Sequence, residues 1–202
     1  MEFAEVVRRR RMVRAYTAEP VDPQALDRIL DTGRQAPSAG FAQAQSFVVV
    51  SEARTRDDIS RLCGEQEAVA RGLPRWLSTA PVHVIPCVRP ADYVERYAEA
   101  DKSGSRPPAD WDVPWWWVDA GQALLLLLLA VVDEGLAAGL LDVTRPQELR
   151  ALLRIPPDVT PLGVVTIGHG APDRRSSSLA RGRRPRSDTV HLGLWGQPPA
   201  GR

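Results

Sequence analysis

Asparagine is absent from the 202 residues and lysine occurs once, at Lys102. The first absence excludes N-x-S/T glycosylation and a Cys-His-Asn catalytic set. The second makes every other basic residue an arginine, a coding bias that carries no mechanistic weight. Two cysteines, Cys63 and Cys87, cannot build a disulfide framework and have no partner at metal-ligand spacing, which predicts two buried thiols in a reducing compartment. Charge of one sign is lacking too: 26 basic against 25 acidic residues leave +1. No global field then draws the chain to nucleic acid or membrane, and any electrostatic function is local.

Long hydrophobic runs are also missing. The greasiest, residues 123–132, is about half of what a bilayer needs. The opening order, apolar then basic in MEFAEVVRRRR, is the reverse of a signal peptide's. The expectation is a cytoplasmic protein with no membrane and no nucleic-acid partner. Its size and 44% hydrophobic content suit a single domain over residues 1–202.

Catalytic signatures are equally scarce. No G-x-S-x-G, HExxH, Walker A loop or G-x-G-x-x-G is present; Gly168-His169-Gly170 lacks the third glycine and reads as a tight turn closing a strand. His83, His169 and His191 lie far apart and read as structural, so no metal site is expected.

What is there begins with helical patterning. Phe3, Val6 and Val7 mark a short first helix. Asp22 as N-cap, Pro23 at the first helical position and Leu26, Ile29 and Leu30 on one face mark a second, stopped by Gly33 and the loop at 36–40. Residues 47–50 read as a buried strand, and Ile59, Leu62 and Cys63 as a helix face. Residues 82–88 read as a strand demoted toward an edge by Pro86. Residues 89–114, rich in proline and charge, read as a functional flap or mobile excursion. Residues 115–136 read as the strongest helix, and its stretch 123–132, apolar on every face, needs burial in a large core or against a second subunit; the short chain favours the second. Thr144 with Gln147 reads as a capping box, residues 162–167 as a strand, and residues 189–195 as a last, exposed strand. Two arginine clusters, at 8–14 and 174–186, hold 11 of the 25 arginines; converging, they make a phosphate site, and apart they are solvated faces.

Several segments together resemble the FMN-dependent nitroreductase superfamily: Arg10-Arg11-Met12-Val13-Arg14-Ala15-Tyr16, Ala36-Pro37-Ser38-Ala39-Gly40-Phe41-Ala42-Gln43 before a strand, Gly135-Leu136-Ala137-Ala138 after the buried helix, Ile155-Pro156, residues 162–168, and Arg181-Gly182-Arg183-Arg184-Pro185. Only residues 89–114 fall outside the match.

The resemblance implies an α+β fold, a small, mixed, mostly antiparallel sheet flanked by helices, in an intertwined homodimer with FMN at the interface. It implies a cofactor site in which Arg10 and Arg14 hold the phosphate, ribityl or pyrimidine edge, with Arg11 and Met12 contributing main chain and packing. Arg181 and Arg183 clamp the phosphate. Pro37, Ser38, Ala39, Gly40 and Gln43 of the other subunit line the isoalloxazine, and Asp142 and Val143 present a backbone amide to flavin N5. It also implies that NAD(P)H delivers hydride and a small planar, electron-poor acceptor such as a nitroarene, quinone or activated alkene takes it, without a catalytic side chain. Tyr93, Tyr97, Trp115, Trp116 and Trp117, with Trp111, then form aromatic walls for the acceptor or pack at the dimer edge.

Departures from the family pattern are Met12 for serine, Phe41 for asparagine, Ala44-Gln45 for Pro-Trp, and Asp142 for glycine. They motivate an alternative: a redox-inactive flavin-binding module of the same fold.

Overall fold

A computed structural model describes residues 1–174 and 176–199; Arg175 of the second arginine cluster lies outside them. Five strands, β1 (Gln45–Val50), β2 (Val82–Val88), β3 (Ala137–Leu141), β4 (Thr160–Pro161) and β5 (Val164–Gly168), form one sheet in the order β1-β2-β5-β3, with β4 also on β2. All named pairings are antiparallel. Among the described residues seven α-helices surround it: α1 (Phe3–Arg9), α2 (Pro23–Arg34), α3 (Ala53–Leu62), α4 (Glu65–Ala70), α5 (Ala91–Tyr97), α6 (Trp115–Asp133) and α7 (Pro146–Leu153). This is the expected α+β class.

Alternation along β2 explains the layering. Val82 and Val84 face Ile29 of α2 and Leu127, Leu128 and Val131 of α6, whereas Ile85 and Cys87 face Ile59 of α3 and Leu149 of α7. Helices cover both faces, so β2 is buried along its whole length. The expected ranking of the first two strands is therefore inverted: β2 is central, and β1, with only Val50 buried, is an edge. Pro86 is tolerated because the register slips by one residue between Val84↔Val165 and Cys87↔Pro161. The carbonyl of Pro86 accepts from Leu162 at 2.8 Å, so the missing N–H faces that bulge, where the ladder is already broken.

The first two helices follow their sequence signals, and the Asp22 carboxylate accepts from Gln24 and Ala25 N–H at 3.2 Å each. The 19-residue α6 is long and apolar enough to cross a membrane by length and composition, but Ala123, Leu127, Leu128 and Val131 pack onto the sheet. Three expectations fail. Thr144 does not cap α7; its hydroxyl donates to the Leu62 carbonyl at 3.0 Å, and α7 opens on Pro146 instead. Residues 189–195 form turns, not a strand. Gly168 and Gly170 lie in extended chain, Gly170 bridging Tyr16, so no turn closes β5 there.

The Cys63 and Cys87 thiols are unbridged, and burial pushes each up to about 11. His83 is fully buried on β2, with Nε2 donating to the Leu77 carbonyl at 2.8 Å and Nδ1 unpartnered. Burial lowers its pKa from 6.5 to about 4. The neutral ring thus contributes stability that is full above the unfolded value and lost as pH falls from about 6.5 toward 4. Between pH 7.5 and 5 the loss is about 2 kcal/mol. Urea titrations of the wild type and His83→Gln, which keeps a donor but does not titrate, are expected to differ by that amount in their pH dependence; equal slopes contradict the assignment.

Candidate active site

The expected site residues fall into two groups at opposite edges of the sheet. The first group is built on β3. Residues 10–17 run along its free edge: Met12 bridges Ala138 in parallel, and Val13 N–H donates to the Ala138 carbonyl at 2.9 Å. On their other side they meet the chain leaving β5, through Tyr16↔Gly170, Thr17 N–H to His169 O at 2.9 Å, and Arg14 N–H to the Asp173 carboxylate at 2.7 Å. The two ends of the protein are thereby laced together beside Arg14.

Beneath this strip, the buried Tyr16 hydroxyl donates to Val13 O at 2.9 Å and shares a hydrogen bond with Thr166 Oγ1 at 2.7 Å; burial pushes its pKa up. The buried Glu65 carboxylate accepts from the N–H groups of Trp76 and Leu77 at 2.8 and 2.7 Å. So anchored, Trp76 lies under the Arg14 guanidinium, 5.7 Å from the ring centroid. Arg8 and Arg9 pair with Glu5, whereas the guanidinium groups of Arg10, Arg11 and Arg14 form no ion pair among the described residues, the Asp173 carboxylate taking only the main-chain N–H of Arg14. At the end of β3, Asp142 Oδ1 accepts from Val143 N–H at 2.8 Å. The amide expected to face a ligand is thus already bonded to its neighbour's carboxylate.

Arg181 and Arg183 do not join this group through any recorded contact. They lie on an exposed tail beyond Asp173, and their guanidinium groups are without ion pairs among the described residues. On the same tail Leu179, Leu194 and Trp195 are exposed, Trp195 by 90%.

The second group is the loop between α2 and β1. Gly40, Phe41 and Gln43 all have positive φ, and the two non-glycine residues mark stored strain. Four contacts hold the loop: Asp119 Oδ2 accepts from Ala39 N–H at 2.7 Å, Arg96 Nε donates to Gly40 O at 2.8 Å, Ser38 Oγ accepts from Gln43 N–H at 2.9 Å, and Arg89 N–H donates to Ala44 O at 3.1 Å. Arg96 is itself forked onto Asp101 at 2.7 and 2.6 Å. Tyr97 lies so close that a Cβ on Gly40 would fall 2.7 Å from its ring. Residues 89–114 thus pack against this loop through Arg89, Arg96 and Tyr97.

Against these residues lies a cavity of about 320 Å³, lined by Pro37, Ser38 and Ala39 of the loop, by Tyr97 and Trp111, and by Trp115, Asp119 and Gln122 of α6. Tyr97 and Trp111 stand edge to face at 5.0 Å. Tyr93 is fully buried beneath them, its hydroxyl donating to Asp119 Oδ2 at 2.8 Å, and burial with that bond pushes its pKa up. Trp116 packs on Tyr93 and Trp111, and Trp117 is exposed on α6; neither lines the cavity. Asp119, which organises the loop, and Gln122 escaped the sequence reading; a carboxylate inside an otherwise apolar helix is the signal that marks it.

The family model described as Nitroreductase family matches residues 7–169, which contain both groups. The chain belongs to the nitroreductase family. This nitroreductase-family protein is 32% identical over 177 residues to the FMN reductase [NAD(P)H] of Bacillus subtilis (strain 168), a match spanning 80% of the chain and 63% of that relative's length. Among solved structures, the hypothetical oxidoreductase YcnD from Bacillus subtilis is 28% identical, with a TM-score of 0.74 over 96% of this chain and 74% of that one. Bacillus megaterium NfrA2 shares the fold at 22% identity and a TM-score of 0.76, over 96% and 75% of the two chains.

Proposed function

We propose that the protein is an FMN-dependent NAD(P)H oxidoreductase acting as a homodimer, with each site assembled from the basic edge of one copy and the aromatic edge of the other. The observation that carries this reading is the separation of the two groups. In one chain β1 and β3 lie three strand spacings apart, roughly 14 Å at about 4.8 Å each, and residues 10–17 lie beyond β3 on its far edge. A two-fold arrangement brings unlike edges together twice. The open side of α6, where Trp117 and Leu125 are 45% and 49% exposed and Gly121 has nothing near it, gives the second copy an apolar stripe to cover.

The residues present suit FMN in charge and shape. Three guanidinium groups without acidic partners suit a phosphate, and aromatic walls suit a flat ring. Arg10 and Arg14 hold the anion, Arg11 and Met12 pack beside it, and Arg181 and Arg183 reach it from the tail. Pro37, Ser38, Ala39, Gly40 and Gln43 of the second copy shape the ring pocket. When bound, FMN supplies hydride transfer from NAD(P)H to an electron-poor planar acceptor. The protein contributes position, exclusion of water and a positive field.

A redox-inactive binding module is favoured by one observation, the capture of Val143 N–H by Asp142. The absorption spectrum of the purified protein separates the two readings. Flavin bands bleached by NAD(P)H and restored by a quinone are expected. Bands that NAD(P)H leaves unchanged favour the module, and a colourless protein that ignores added FMN overturns both.

A further inference from the structure

The cavity beside the loop carries one acidic group, the Asp119 carboxylate of α6. Asp119 is 3% exposed, and its Oδ2 takes both bonds, from Ala39 N–H and the Tyr93 hydroxyl. Its Oδ1 has no hydrogen-bond partner among the described residues, and the side chain lines the cavity. Among the described residues no arginine or lysine lines the cavity; Lys102 stacks on the Tyr97 ring, 5.6 Å from its centroid.

A buried carboxylate with an unused oxygen favours donors and cations and repels anions, more strongly in an apolar enclosure than in water. A site left with unpaired acceptors also rejects a ligand lacking the donors far more sharply than an apolar pocket rejects a wrong size.

We propose that this cavity selects a planar acceptor bearing N–H donors or positive charge, such as an amidinium or aminopyrimidine edge, and that Asp119 is the specificity-determining residue. The proposal deepens the oxidoreductase reading, on which the role of the ligand as acceptor rests.

The test is tryptophan fluorescence of the full-length protein, Trp111 and Trp115 lining the cavity, titrated with benzamidinium, benzamide and benzoate. Benzamidinium is expected to bind at least tenfold more tightly than benzamide, with benzoate weakest. In Asp119→Asn, whose amide oxygen still serves Ala39 and Tyr93, the preference is expected to collapse to within about twofold. Equal affinities, a preference for benzoate, or a preference that survives the substitution overturns the proposal. Should Asp119→Asn fail to fold, the wild-type ranking of the three compounds decides the matter. The titrations are made on the FMN-loaded protein, and release of FMN in proportion to bound benzamidinium assigns the carboxylate to the cofactor and also overturns it. Bleaching by NAD(P)H is measured separately: its failure with the ligand preference intact sinks the redox reading alone.

Discussion

Gly139→Ala is expected to lower stability by about 3 kcal/mol and the melting temperature by roughly 10 °C, and to abolish FMN binding. An added Cβ would fall 2.6 Å from Val13 O, 2.7 Å from the Trp76 ring and 2.9 Å from Thr166 Oγ1. None of these can retreat cheaply. The Val13 carbonyl is held by Tyr16, Trp76 by Glu65, and Thr166 lies inside β5. The accessible response is for residues 10–16 to lift from β3, which takes Arg10 and Arg14 with them. Calorimetry and an FMN titration check both parts; a stable variant that binds FMN normally contradicts the packing described.

Replacing Arg10 and Arg14 together with alanine is expected to weaken FMN binding at least 100-fold. Hydrogen bonds to charged groups contribute about 1.5–3 kcal/mol each, so two are worth roughly 10²–10⁴ in affinity. Stability without FMN is expected to change by no more than about 1 kcal/mol, because among the described residues neither guanidinium has an ion pair and Arg14 lies only over the Trp76 ring. Arg8→Ala is the control, since Arg8 sits beside Glu5 and has no part in the site; its FMN affinity is expected to stay within about twofold of the wild type. Fluorescence titration reads all three, and a double variant that binds like the wild type removes the basic edge from the site.

Helices were the legible part of this sequence. α1, α2 and α3 carry periodic apolar faces, and α2 has a capping aspartate and an N-terminal proline, all local signals. Strand order was not legible. Pro86 pointed to an edge, yet a bulge at Leu162–Gly163 accepts it in the centre of the sheet. β3, written Ala-Ala-Gly-Leu-Leu, shows no alternation, and its glycine marks the close approach of residues 10–16, a tertiary fact. The exposed apolar tail failed as a strand for the opposite reason: its alternation has no sheet within the chain to satisfy.

In the candidate site, the Pro37–Ala39 loop and Tyr97 and Trp115 were named in advance and do share one cavity. Asp119 was not, because its role depends on two donors, Ala39 and Tyr93, that come from distant parts of the chain.

Mixing two inactive variants tests the shared site most directly. Arg10→Ala/Arg14→Ala damages one edge and Gly40→Val the other, so neither homodimer is expected to hold FMN. After the two are unfolded together and refolded, random pairing leaves one undamaged site in each mixed dimer, which restores flavin absorbance to about a quarter of the sites. Recovery near that level is the expected result. No recovery, from variants that fold and pair, contradicts a site built between two copies.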